Sequence, residues 1–253
     1  MIVEVKNEKE FKSLCQKAWE NNSQLWINNR TLPVRLKRFL LDFIFENNNP
    51  NILDIGCGNG WLLQEILNTK PDTQFEYKGI DINIHFIEHL SQKYNDERVG
   101  FFSVDFEEPL TVIQDNSIDK AIAVLSLIEM SNLEMAFRNI ADKLKHGGSC
   151  IIVVLNPYME MIRLNSSMDE LKNDIASFRK GSLFYYEKKI ISKDIESEVN
   201  YYGVLHPIEK YFSTVKNSGL LINNFKEIDA IDELGAESTI YHCIEFIKPT
   251  ING

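Results

Sequence analysis

At 253 residues the chain is long enough for one α/β domain of ordinary size with a sizeable insertion, and its length alone does not demand two domains. With 44% hydrophobic and 25% charged residues it has a globular composition, and 37 acidic against 27 basic side chains give a net charge of −10 that repels a phosphate backbone, so no nucleic-acid partner is expected. Four dispersed cysteines without a CxxC pair exclude a zinc or disulfide framework, and a charged opening, MIVEVKNEKEFK, with no run of roughly 20 apolar residues, predicts a cytoplasmic chain with no membrane partner.

Residues 8 to 46 read as helices, with Leu36, Phe39, Leu40, Phe43 and Ile44 at helical spacing and Pro33 near the start. Residues 1–48 are therefore expected to cap a core at 49–253. From Asn51 the pattern alternates: an apolar strand at Ile52 to Ile55, a helix carrying Leu62, Leu63, Ile66 and Leu67, and an extended stretch from Phe75 to Ile80. A helix capped by Asn83 follows, then strands at Val99 to Val104 and Ile118 to Leu125. Residues 132 to 144 give a clear helix, which the pair Gly147-Gly148 ends before a buried strand from Cys150 to Leu155.

After Pro157 the rhythm lapses for about 50 residues before a helix at Ile208 to Val215 and strands at Leu220 to Ile228 and Tyr241 to Ile247. The irregular block 157–206 reads as an insertion and a candidate substrate lid, because loops at the carboxyl ends of such strands carry ligand sites. Apolar runs separated by amphipathic helices predict a doubly wound α/β fold with a mostly parallel sheet covered on both faces.

The segment ILDIGCGNG, Ile52 to Gly60, is a buried strand running into a glycine turn and then a helix. A dinucleotide fingerprint needs a further glycine at position 61, which holds Trp61, so a nicotinamide cofactor is disfavoured. Asp81 ends the second strand about 20 residues on, where a carboxylate can accept both ribose hydroxyl hydrogens of a nucleoside, and Asp105 ends the third.

With Asp54, Gly56, Gly58 and Gly60, the turn is similar to motif I of class I S-adenosylmethionine-dependent methyltransferases. The stretch Ala123 to Tyr158 resembles the fourth strand, helix and fifth strand of their small-molecule members, and AWENNSQLW resembles an aromatic-rich amino-terminal helix of that group. The resemblance implies a Rossmann-like methyltransferase fold with a seven-stranded sheet and S-adenosyl-L-methionine as cofactor, released as S-adenosyl-L-homocysteine. On it, the cofactor site comprises Asp54, Gly56, Cys57, Gly58, Gly60, Asp81, Ile82, Asp105, Phe106 and Leu125, with Asp105 and Phe106 reading the adenine.

Asn156-Pro157-Tyr158 is similar to a signature of nucleic-acid amino methyltransferases but follows the fifth strand instead of the fourth, and Leu125-Ser126-Leu127 lacks the clamp for an extruded base. The element Leu205-His206-Pro207-Ile208 resembles a family element that opens the next helix, with His206 at its usual arginine position. His206 is the candidate catalytic residue, standing where the insertion meets the core, and Trp26, Tyr158 and Tyr202 are candidates for the substrate pocket. No metal is expected, because no His, Asp and Glu cluster at ligand spacing exists. The expected function is methyl transfer to nitrogen, oxygen or carbon of a small metabolite in a biosynthetic or tailoring step. The alternatives are a protein or RNA methyltransferase and a non-catalytic cofactor-binding scaffold; the sequence does not fix the oligomeric state.

Overall fold

The computed structural model describes residues 7–29, 32–46, 49–165, 167–179, 183–191, 198–229 and 240–250. Two helices come first, α1 (Glu8–Asn29) and α2 (Val34–Ile44), followed by β1 (Asn51–Ile55), α3 (Trp61–Thr69), β2 (Glu76–Asp81), α4 (Ile84–Lys93), β3 (Val99–Ser103) and β4 (Ile118–Val124). A 3-10 turn (Leu127–Glu129) leads to α5 (Leu133–Lys143), β5 (Leu144–Leu155), α6 (Pro157–Leu164), α7 (Met168–Phe178), β6 (Phe184–Ile191) and β7 (Glu198–Leu205). The chain closes with α8 (Ile208–Asn217), β8 (Leu221–Asp229) and β9 (Ile240–Ile247).

Seven strands form one sheet in the order β3-β2-β1-β4-β5-β9-β8. Neighbours from β3 to β5 pair in parallel, and β9 pairs antiparallel with β5 and β8. The order reverses between β1 and β4, whose carboxyl ends therefore diverge into a crevice, the usual place for a ligand in an open α/β sheet.

Strand periodicity assigns side chains to two layers. On one face Ile52, Ile122, Val124, Ile151 and Val153 pack with α2 and α3 through Leu36, Leu40, Ile44, Leu62 and Ile66. On the other, Leu53, Ile55, Ala121, Ala123 and Ile152 pack with α5 and α8 through Phe137, Ile140, Tyr211 and Val215. Burying a large aliphatic or aromatic side chain contributes roughly 1.5–3 kcal/mol each, so the two apolar layers hold the parallel strands in register.

Two expectations need correction. The helix before β5 ends at Lys143, and the strand begins at once with Leu144, so Gly147-Gly148 lies within the strand instead of ending a helix. Lys143 Nζ is bound by Asp115, and the backbone N–H groups of Asn116 and Ser117 donate to the carbonyls of Asp142 and Lys143, which ties the helix end to the segment that opens β4.

The block 157–206 is also regular. Asn156 caps α6 by accepting from the Tyr158 and Met159 N–H groups, with Pro157 at the first helical position, and Ser167 caps α7 by accepting from Glu170 N–H. Strands β6 and β7 form an antiparallel ribbon registered from Phe184↔Leu205 to Ile191↔Glu198. The block carries its own small core of Met161, Leu171, Phe178, Tyr186 and Leu205.

Helix α1 docks on this ribbon. Phe11 stacks on Tyr185 at 4.6 Å, Cys15 Sγ–H points at the Tyr202 carbonyl at 3.9 Å, and Trp19 meets Tyr201 edge-on at 6.1 Å. The opposite side of α1 faces the crevice.

Candidate active site

The chain leaves β1 through a turn stitched to its neighbour strand: Gly56 N–H and Cys57 N–H both donate to the Ile80 carbonyl, at 2.8 and 2.9 Å. Gly58 has φ of +53°, and a Cβ built there would meet nothing within 4 Å, so the backbone at this position faces open space. Asp81 fixes the opposite side. One carboxylate oxygen accepts from Gly58 N–H at 2.9 Å and the other from Asn83 N–H at 2.9 Å, which aims the carboxylate along the turn.

Asp105 follows β3 and accepts from Glu107 N–H at 2.9 Å, while Lys12 of α1 pairs with it and lies 3.5 Å from Glu107. Burial alone would lower the Lys12 pKa, but the hydrogen bond and charge of Asp105 raise it, so the ammonium stays charged at neutral pH. Leu125 ends β4 with φ of +59°, a left-handed conformation rare for a branched side chain, held by its N–H donating to the Val153 carbonyl at 2.8 Å. Beyond it Ser126 Oγ donates to the Ile55 carbonyl at 2.7 Å, and the 3-10 turn places Glu129 where Trp19 Nε1–H donates to its carboxylate.

These elements surround a cavity of about 920 Å³, open mouth included. Gly56, Gly58, Asp81, Ile82, Asp105, Phe106 and Leu125 line it, so seven of the residues expected at the cofactor come together. Three expected residues lie behind the wall. Cys57 is buried with its thiol pKa raised by burial and then by Asp81 and Asp54, and Gly60 sits against Leu90.

Asp54 shares the α2–α3 face of β1 with Ile52, two residues away, and accepts a 2.5 Å hydrogen bond from the Tyr77 hydroxyl. It therefore supports the turn from beneath. The Tyr77 pKa is raised by burial and by Asp54, which keeps the phenol a donor.

The substrate-side expectations fare differently. His206 is 2% exposed, and its Nε2–H donates to the Met130 carbonyl at 2.8 Å; Met130 lines the cavity and His206 does not. Burial pushes the imidazole pKa down to about 4, so the ring is neutral at physiological pH. Tyr158 packs on Phe178 at 5.8 Å, and the Tyr202 hydroxyl donates to Glu187 at 3.0 Å; neither is a lining residue. The Trp26 side chain lies outside the described residues.

The walls instead include Lys12, Gln16, Trp19, Phe86 and Glu129, which sequence reasoning missed. The AWENNSQLW segment was the available signal, and its Trp19 lines the cavity. Among the described residues no group of three or more His, Cys, Asp and Glu could hold a metal, and no helix is long and apolar enough to cross a membrane.

An adenosyl sulfonium ligand fits this set: the backbone at Gly58 faces open space, carboxylates end the two neighbouring strands, and Phe106 offers an aromatic wall. Residues 52–148 match the family model of the methyltransferase domain. The chain is 23% identical over 237 residues to the malonyl-[acyl-carrier protein] O-methyltransferase of Acetivibrio thermocellus, covering 90% of this chain and 80% of that enzyme. Its fold matches an S-adenosylmethionine-dependent methyltransferase from Mesorhizobium loti with a TM-score of 0.59 at 12% identity, covering 84% of this chain and 96% of that one.

A phosphoethanolamine N-methyltransferase of Haemonchus contortus, solved with phosphomonomethylethanolamine and S-adenosylhomocysteine, has a TM-score of 0.59 at 16% identity, covering 97% of this chain and 61% of that one. The family match places a methyltransferase domain over residues 52–148, and the fold is that of S-adenosylmethionine-dependent methyltransferases.

Proposed function

We propose that the chain methylates nitrogen, oxygen or carbon of a small metabolite in a biosynthetic or tailoring step, inside the cavity between the glycine turn and α1. The observation that carries this reading is the roof. Helix α1 crosses the crevice with Lys12, Cys15, Gln16 and Trp19 on the cavity, and Phe11, Cys15 and Trp19 anchor it on the β6–β7 ribbon. A peptide or an RNA strand needs a groove open along its length, whereas α1 roofs this cavity and leaves a mouth suited to a small acceptor. The phosphomonomethylethanolamine in the solved Haemonchus contortus enzyme is a small acceptor of this kind.

In this reading Asp81 accepts from the ribose hydroxyls, Asp105 and Phe106 recognise the adenine, and Gly56 and Gly58 let the backbone lie against the methionine portion. Asp54 and Tyr77 support the turn, and the block 157–206 acts as a lid by fixing α1 in place. The cofactor, when bound, supplies an electrophilic methyl group on a positively charged sulfur. The protein's part is alignment and exclusion of water, which can supply several kcal/mol of barrier lowering without a general base. The location of the reaction is proposed to be the cytoplasm.

The test is incubation with methyl-radiolabelled cofactor and an extract of the cells that make the protein, followed by size separation. Label in the low-mass fraction is expected. Label in protein or RNA overturns the small-molecule reading, and cofactor binding without any labelled product indicates a scaffold.

A further inference from the structure

We infer that the acceptor is an amine, bound as or developing into a cation, and that Glu129 and Trp19 recognise it. The inference rests on the small-molecule reading above and adds the substrate class.

Charge provides the first argument. Among the described residues that line the cavity, Lys12 is the cation against the carboxylates of Asp81, Asp105, Glu107 and Glu129. The Lys12 ammonium is already held between Asp105 and Glu107, so it does not offer a counter-ion to an incoming carboxylate. An anionic acceptor would enter a site of its own sign and be repelled. The raised pKa of the Cys15 thiol, set by burial and then by Glu129 and Glu107, reports the same negative field from a third position.

Aromatic geometry provides the second, independent argument. Trp19 and Phe86 both line the cavity and lie edge to face at 5.9 Å, while Tyr201 braces Trp19 from behind at 6.1 Å. The indole N–H donates to Glu129 and is a neutral donor, so this bond orients the carboxylate without cancelling its charge. Aromatic walls beside a fixed carboxylate form the combination that attracts ammonium groups, through ring quadrupole and charge together.

The chemistry uses that field. An acceptor that binds as an ammonium first gives a proton to water; the nitrogen lone pair then forms the new N–C bond as the C–S bond breaks, the C–S electron pair returns to sulfur as a neutral thioether, and the positive charge passes to nitrogen. A primary or secondary amine then gives its extra proton to water. A carboxylate at the nitrogen stabilises the charge that arrives there, an effect that grows along the reaction and therefore favours the transition state.

The low-mass fraction of the cell extract, divided by ion exchange into cationic, neutral and anionic pools, tests the assignment with labelled cofactor. Label is expected from the cationic pool. Glu129→Gln should raise the acceptor KM at least tenfold, with kcat changed less, while calorimetric affinity for S-adenosylhomocysteine stays within twofold. Trp19→Phe breaks the same indole bond but keeps the carboxylate, and should retain the preference for the cationic pool. Label from the anionic or neutral pool, or an unchanged acceptor KM in Glu129→Gln, overturns the amine assignment alone. Label absent from every low-mass pool overturns the small-molecule reading on which it rests.

Discussion

His206 Nε2–H donates to the Met130 carbonyl, so the imidazole braces the cavity wall from behind instead of standing in it. The bond fixes the tautomer: with Nε2 protonated, Nδ1 carries a bare lone pair, and that atom is buried without a partner. Protonating it would require a buried charge, the physical cause of its depressed pKa.

This geometry predicts a pH dependence. The unfolded chain takes up the His206 proton near pH 6.5 and the folded chain near pH 4, so the contribution to stability is full above 6.5 and is lost as pH falls toward 4. The loss is on the order of 3 kcal/mol. Urea unfolding of wild type and His206→Gln across this range should diverge by that amount, and parallel curves would show that the imidazole is not the titrating group. Methyl transfer by His206→Gln at pH 7.5 should fall less than tenfold, in keeping with a positioning residue.

Two glycines of the turn should separate binding from folding. A Cβ at Gly58 meets only open space, whereas one at Gly60 falls 2.5 Å from Leu90 Cδ2. Gly58→Val is expected to abolish measurable S-adenosylmethionine binding by calorimetry, with a stability cost of about 1–2 kcal/mol for its left-handed backbone. Gly60→Val should instead cost a further 1–3 kcal/mol or so through overpacking. Equal affinity in Gly58→Val and wild type would remove the turn from the cofactor site.

Asp81→Ala deletes the acceptor for Gly58 N–H and Asn83 N–H together with the proposed ribose contact. Cofactor affinity should weaken by roughly 1.5–3 kcal/mol, the usual loss for hydrogen bonds to a charged group. Adenosine competes only through its nucleoside half and should lose a similar amount in a competition titration; an unaffected adenosine would place the ribose elsewhere.

Tyr77→Phe leaves the buried Asp54 carboxylate without its phenol donor. Unfolding free energy should drop by about 1–3 kcal/mol. Cofactor affinity, measured on the folded fraction, should change by less than threefold, because Asp54 lies beneath the turn; a loss as large as that of Asp81→Ala would put Asp54 in direct contact with the ligand.

The sequence disclosed what is local and periodic. The apolar run Ile52 to Ile55, the glycines after it, and the acidic residues Asp81 and Asp105 sit at strand ends whose order follows from the chain itself. The role of Asp54 was hidden, since only its pairing with Tyr77 across two strands shows which side of the turn it serves. The β6–β7 ribbon escaped detection because its strands carry charges such as Glu187, Lys188 and Lys189 where alternation with apolar residues is the usual signal. Lys12, Trp19 and Glu129 were illegible for a different reason: α1 meets Asp105, Glu129 and Tyr201 across long separations, and helical periodicity does not say which neighbour a face will find.

The placement of α1 sets an order of assembly. Its residues leave the ribosome before the β6–β7 ribbon, yet Phe11, Cys15 and Trp19 dock on Tyr185, Tyr202 and Tyr201, which are synthesised more than 150 residues later. The parallel core can gather through its shorter-range pairings while this helix waits, and closing so long a loop comes late in folding. During synthesis the crevice of the nascent core therefore stands open, and the wall that shapes the acceptor's place is the last to arrive.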